Sequence, residues 1–295
     1  MKLVRKIIEI FRLGSKINKI YEQNDEIKML ISKNNINYNK KINSENITDY
    51  EFKVFSQWGE DGIINFLINN LKIKNKNFVE FGVSDYKESN TRFLLKNDNW
   101  SGLVIDSLNL NIDIIKKDPI YWKHDLTAIC EFINKKNINN ILQSNLNSRD
   151  IGLLSIDIDG NDYWIWEEIN FVNPSIVIIE YNSLLGSDKS YVVPYMENFI
   201  RVKAHYSSIY YGTSLPALVK LGIKKGYSLV GCNSAGNNAF FVKKELINEK
   251  VKEKSIEEVF VQRKFRESRD KNNKLSFLNK AEEKEIISKL PLEEV

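Results

Sequence analysis

An α/β fold built on a mostly parallel, Rossmann-like sheet is what this 295-residue sequence predicts. Between Phe52 and Lys244, short apolar runs alternate with longer amphipathic ones, the pattern of strands joined by right-handed helical crossovers. Several of these runs close on an acid, where an open α/β sheet presents its ligand site. The last two runs, Tyr227–Cys232 and Asn238–Val242, are separated only by the turn-rich Asn233–Asn237, which predicts an antiparallel hairpin.

Taken in order, residues 1–46 form an amphipathic helix and a polar linker over Asn34–Asn46. Leu3, Ile10, Ile17, Asn24 and Ile31 recur every seven residues, and Leu13, Ile20 and Ile27 fill the complementary positions. Three readings are open here: a heptad seam joining copies of the chain, a helix packed on its own domain, or a basic helix on a membrane surface. The third draws on Lys2, Arg5, Lys6, Arg12, Lys16 and Lys19. Charges interrupt every apolar stretch and no small-residue cleavage site follows, so a signal peptide is disfavoured and no transmembrane run stands out.

Residues 47–245 carry the main domain. Its strands are expected at Asn77–Gly82, Gly102–Asp106, Leu153–Asp157 and Ile176–Tyr181, then the hairpin; helices are expected at Thr91–Lys96, Leu126–Lys136 and Asp162–Ile169. Residues 246–295 read as a charged helical tail packed on the domain, with helical spacing at Ser255–Phe265 and Ala281–Leu290. Arg263, Arg266 and Arg269 in that tail are either anion ligands or a solvated face.

Composition narrows the chemistry. Two cysteines, Cys130 and Cys232, cannot make a disulfide framework and fit a reducing cytoplasm. With His124 and His205 the only histidines, a three-histidine zinc site is impossible, so oxygen ligands are expected for any metal. A net charge of +4 selects no nucleic-acid partner, and no basic-aromatic tract stands out.

The first chemical segment is Phe78-Val79-Glu80-Phe81-Gly82-Val83-Ser84-Asp85: an apolar strand, an acid, then a glycine that lets a ligand approach the backbone. The second, Gly102–Asp106, closes a neighbouring strand on an acid suited to both hydroxyls of a ribose. Together they indicate an adenosine-containing ligand, either NAD or S-adenosylmethionine. The absence of GxGxxG and the terminal hairpin favour S-adenosylmethionine, and the absence of a Walker A sequence disfavours nucleotide hydrolysis.

On these residues the chain resembles class I S-adenosylmethionine-dependent methyltransferases, and among them the FkbM-like group associated with bacterial surface-glycan loci. The resemblance takes in Phe55–Gly62, Phe78–Asp85, Gly102–Asp106, Leu154–Tyr163, Ile178–Asn182, Gly231–Phe241 and, less closely, Phe265–Asp270. It covers residues 50–295 and leaves the first helix unexplained. It implies a seven-stranded sheet of order 3-2-1-4-5-7-6. Glu80, Gly82 and Ser84 then lie near the cofactor's methionine portion, and Asp106 at its ribose. Gln57, Glu60, Asp125 and Asp157 are carried over as further cofactor residues. The implied acceptor is a carbohydrate hydroxyl, on a nucleotide-activated sugar such as a heptose or on a glycan of capsule or lipopolysaccharide, methylated in the cytoplasm or at the inner face of the membrane.

Ser155–Tyr163 and Ile178–Asn182 place Asp157, Asp159 and Glu180 at the ends of strands expected to be adjacent. Carboxylates gathered out of water need a cation or a proton, and Mg²⁺ or another hard divalent ion suits oxygen ligands. The stretch is similar to the metal site of sugar O-methyltransferases of macrolide pathways, with Asp162 in place of a histidine and Tyr181 in place of a second acid. Asp159, Glu180 and Asn182 are the expected metal ligands; Asp159, Asp162 and His205 are the candidate bases for deprotonating a hydroxyl. Tyr210-Tyr211-Gly212-Thr213-Ser214-Leu215 is a candidate acceptor-site segment. Methylation of a small amine or carboxylate, and a non-catalytic cofactor-binding module for assembly, are the competing readings.

Overall fold

The structure is a computed structural model that describes residues 2–295, with side chains at 16, 17 and 19–295. It comprises two compact units, Met1–Asn43 and Ser44–Val295.

The first unit is dominated by one helix, α1 (Lys2–Asn39). Asn34–Asn39, expected as linker, continues this helix because Ile36 extends its apolar spacing and no proline or glycine interrupts it. The side chains of Leu3, Ile10 and Leu13, and of the basic Lys2, Arg5, Lys6 and Arg12, lie outside the described residues. No described helix is long and apolar enough to cross a membrane.

The second unit is organised by a seven-stranded sheet. Its strands are β1 (Asn77–Phe81), β2 (Ser101–Asp106), β3 (Leu126–Cys130), β4 (Asp150–Ile156), β5 (Asn173–Glu180), β6 (Tyr227–Cys232) and β7 (Asn238–Lys243). Numbered within the sheet, their order is 3-2-1-4-5-7-6, as the resemblance implies. β1 to β5 are parallel, and β7 runs antiparallel to both β5 and β6. Phe81 pairs with Ile105 and Ile156, and Asp106 with Cys130, so the carboxyl ends of the parallel strands share one edge.

Helices cover both faces, which explains why β4 and β5 read as nearly unbroken apolar runs. On one face Trp166 packs against Phe241 and Tyr227, at centroid distances of 5.0 and 5.9 Å. Burial of each such side chain contributes about 1.5–3 kcal/mol.

Two expectations are corrected. Leu126–Lys136 is not a helix: its first five residues are β3, and the next helix starts only at Ile138. Leu126 and Ala128 are buried while Thr127 is exposed, a strand alternation too short to separate from helical spacing. In the tail, Ser255–Phe265 is helical only over Ile256–Val259. Phe260 and Val261 pack on the central core, and Tyr181 donates its hydroxyl to the Val261 carbonyl at 2.7 Å, holding the chain extended. The later helix, Lys280–Ser288, forms behind an Asn279–Glu282 capping box.

Candidate active site

A cavity of about 450 Å³ opens at the carboxyl edge of the sheet, bordered by Gly82, Ser84, Asp106, Asp157, Asp159 and Glu180. These six lie at or just beyond the carboxyl ends of four neighbouring strands, in the order β2, β1, β4, β5, so the sheet itself gathers residues far apart in sequence.

Gly82 makes the floor. It has φ +71°, and an added Cβ would stand 1.7 Å from the Asp157 carbonyl oxygen, so the loop after β1 touches the loop after β4. Ser84 and Asp159, both bordering the cavity, also hold positive φ, 49° and 59°. Such backbone costs energy for non-glycine residues and concentrates where a site fixes it.

At the β2 end, Asp106 is 8% exposed. Its Oδ2 accepts the Ser84 amide at 2.8 Å, and its Oδ1 accepts the Leu108 amide and Asn111 Nδ2, each at 2.9 Å. Three donors fix the carboxylate and leave lone pairs facing the cavity. Glu131, Phe132 and Ile133, which follow β3, complete this end. Sequence reasoning missed them because β3 was read as helix.

Glu80 borders an adjoining smaller cavity that shares Gln57, Gly82 and Asp157 with the first. Its carboxylate accepts the amides of Asn90 and Thr91 at 2.8 and 3.1 Å and the Thr91 hydroxyl, tying β1 to the start of helix Arg92–Asp98. Burial pushes its pKa up to about 7.

At the other end Asp157, Asp159 and Glu180 bring ligand oxygens within 4.8 Å of one another. Burial, then neighbouring carboxylates, hold Asp157 and Glu180 well above the usual carboxylate range. Glu180 Oε2 is buried with no hydrogen-bond partner. Arg201 reaches into this cluster: it pairs with Asp159 at 2.9 Å and with Glu267, and its guanidinium lies 3.6 Å from the Tyr211 ring centroid. Neither Arg201 nor Glu267 was expected here. Arg201 opens a four-residue helix with no motif around it, and Glu267 lies in the Phe265–Asp270 segment of the resemblance, which by itself assigns it no role.

The structure separates the remaining candidates. Gln57 borders both cavities. Glu60 borders neither: it is fully buried and accepts from Trp58, Gly59, Asn233 and Asn238, joining the loop before helix Glu60–Asn70 to the β6–β7 hairpin. Asp125 is exposed at the amino end of β3, the edge opposite the cavity. Asp162 accepts the Ile158 and Gly160 amides, each at 2.8 Å, and shapes the loop after β4; burial raises its pKa to about 6. Asn182 donates to the Ile209 and Tyr211 carbonyls and accepts from Leu184, so its amide is committed to a turn. His205 borders neither cavity, and its Nδ1 lies 2.7 Å from Ser207 Oγ. Tyr211 forms a buried platform under Arg201, while Tyr210 bonds the Pro291 carbonyl.

The tail supplies the outer wall. Phe265 borders the cavity and stacks on Trp58 at 5.5 Å and 16°. Arg263, 2% exposed, pairs with Glu267 and, at 2.8 Å, with Glu283.

Neither a protein-family profile nor a curated protein sequence matches the chain. Among similar solved structures is an O-methyltransferase from Bacillus cereus in complex with S-adenosylhomocysteine, at 14% identity over 59% of this chain and 74% of that chain, TM-score 0.36. Another is the N-terminal domain of EvdMO1 with S-adenosylhomocysteine bound, at 8% identity over 57% and 72%, TM-score 0.37. A third is an S-adenosylmethionine-dependent methyltransferase from Geobacter sulfurreducens, at 14% identity over 54% and 59%, TM-score 0.31. At these scores the overlap is partial and assigns no activity, so the functional reading stands on the cavity's own geometry.

Proposed function

We propose that the chain is an S-adenosylmethionine-dependent O-methyltransferase acting on a carbohydrate hydroxyl. The observation that carries this reading is one cavity with a fixed acid at the end of β2 and a carboxylate cluster across the Gly82 floor. The cofactor supplies a methyl group already activated by its sulfonium leaving group. Asp106 accepts from the ribose hydroxyls, Glu131 and Phe132 flank the base, and Gly82 and Ser84 expose backbone toward the methionine portion. The remaining work of the protein is alignment and deprotonation.

Glu180 is the residue placed to take the acceptor's proton. Its Oε2 is buried without a hydrogen-bond partner, and burial holds its pKa well above the usual carboxylate range, which strengthens its hold on a proton. Asp157, Asp159 and Glu180 also fit a hard divalent ion, which would occupy the orphaned Glu180 oxygen in place of the acceptor's proton; Asn182 does not fit, since its amide is spent. When bound, such an ion would acidify a coordinated hydroxyl. Arg201 balances part of the same charge and steers Asp159. Phe199 and Phe265 supply apolar faces for a sugar ring.

The glycan context, on a nucleotide-activated sugar such as a heptose or on capsule or lipopolysaccharide, follows from the sequence resemblance. A protonated amine is the second reading, favoured by the surplus of acids around Arg201. One experiment separates them: incubate the protein with S-adenosylmethionine, Mg²⁺ and a panel of nucleotide sugars and amino sugars, then read the products by mass spectrometry. Gain of one methylene on oxygen supports the first reading, and gain on nitrogen the second. No binding of S-adenosylmethionine by calorimetry would remove both.

A further inference from the structure

One face of helix α1 is apolar and exposed. Ile17, Ile20, Ile27, Ile31 and Tyr38 are 42, 62, 54, 55 and 67% exposed, and their three- and four-residue spacing puts them on one side.

Charge decides between occupants. A second copy of the helix, paired along the stripe, would bring together edge positions Lys16, Tyr21, Gln23, Lys28, Leu30 and Asn35, none of which is acidic, so no ion pair between copies would form there. Glu22, Asp25 and Glu26 instead project from the side away from the stripe. Among the first 21 residues the basic ones are Lys2, Arg5, Lys6, Arg12, Lys16 and Lys19, against one acid, Glu9. An apolar stripe edged by lysine, with acids turned away, is the charge pattern an anionic bilayer surface complements.

We propose that α1 lies in the plane of an anionic membrane, with the Ile17–Tyr38 stripe in the headgroup boundary and basic residues among lipid phosphates. Each basic residue near such a surface raises binding about fivefold. The test is co-sedimentation of the full chain with phosphatidylcholine vesicles, with and without phosphatidylglycerol. The anionic vesicles are expected to pellet the protein at least about tenfold more strongly, and added salt to weaken this. Combined Ile20→Glu, Ile27→Glu and Ile31→Glu substitutions should abolish binding. Lys16→Ala with Lys19→Ala should weaken it about 25-fold while leaving the apolar stripe intact. Equal binding to neutral vesicles, or binding indifferent to both sets of substitutions, overturns the proposal. So does a dimer in sedimentation velocity that the isoleucine substitutions dissolve without any vesicle binding, which assigns the stripe to a second copy.

Discussion

Asp106 and Glu180 close strands of the same sheet, are 8 and 6% exposed, and face one cavity from opposite ends. Their surroundings differ in kind. Asp106 receives three N–H donors and is held as a finished hydrogen-bond acceptor. Glu180 has an unpartnered oxygen and two carboxylates for neighbours. Two full charges 4.8 Å apart repel by about 3 kcal/mol at an effective dielectric constant of about 20, enough to hold a proton or attract a cation. One end of the cavity is complete as built, and the other is built to be completed by what enters it.

The largest expected effect breaks the second end. Glu180→Gln should lower methyl-transfer turnover about 10²–10⁴-fold while changing S-adenosylmethionine affinity less than about threefold. Single-turnover rates beside calorimetry check this, and equal losses in both would merge the two ends into one binding function. Asp106→Ala should do the reverse, raising the cofactor Kd about 10–100-fold through lost charged hydrogen bonds, with a smaller change in turnover at saturation.

Stability offers an independent view. Mg²⁺ at about 100 times its Kd should stabilise the fold by about 2.7 kcal/mol, seen as a raised Tm, and Asp157→Asn with Glu180→Gln should erase that rise. An equal rise in the double variant would place the ion elsewhere.

The smallest effect concerns pH. Glu80 titrates at about 7 and Asp61 at about 6 in the fold, both raised by burial, whereas unfolded carboxylates titrate near 4. The folded state therefore binds protons more tightly. Its stability from these groups is fully present below about pH 4 and is lost as pH rises toward 7. Melting curves across that window should show a falling Tm, with a shallower fall in Glu80→Gln. An unchanged slope would mean that Glu80 titrates normally.

Most of the framework was legible in the sequence because buried parallel strands write themselves as apolar runs. Val79–Phe81, Leu103–Ile105, Leu153–Ile156 and Ile176–Ile179 are unambiguous for that reason. β3 was not, because its partly exposed Leu-Thr-Ala-Ile-Cys runs directly into Glu131–Lys136, whose spacing also suits a helix. At the site, the acids beside glycine on strand ends were readable in position. Their roles were less so: Glu60 and Asp162 look like ligands in sequence but spend their oxygens on backbone and side-chain donors. Arg201 carried no local signal and Glu267 only that of the Phe265–Asp270 segment, since tertiary packing alone brings a short helix and the tail to the cavity.

The stacking of Phe265 on Trp58 has a consequence for the order of events in the cell. Translation delivers the whole sheet, through Lys243, before it delivers Phe265 and Glu267, the cavity's outer wall. A nascent chain at that stage can hold a folded sheet with its reaction chamber still open to water. Truncation after Lys243 would recreate that stage in a finished molecule, with every strand of the sheet present and the Phe265 side of the cavity open to solvent.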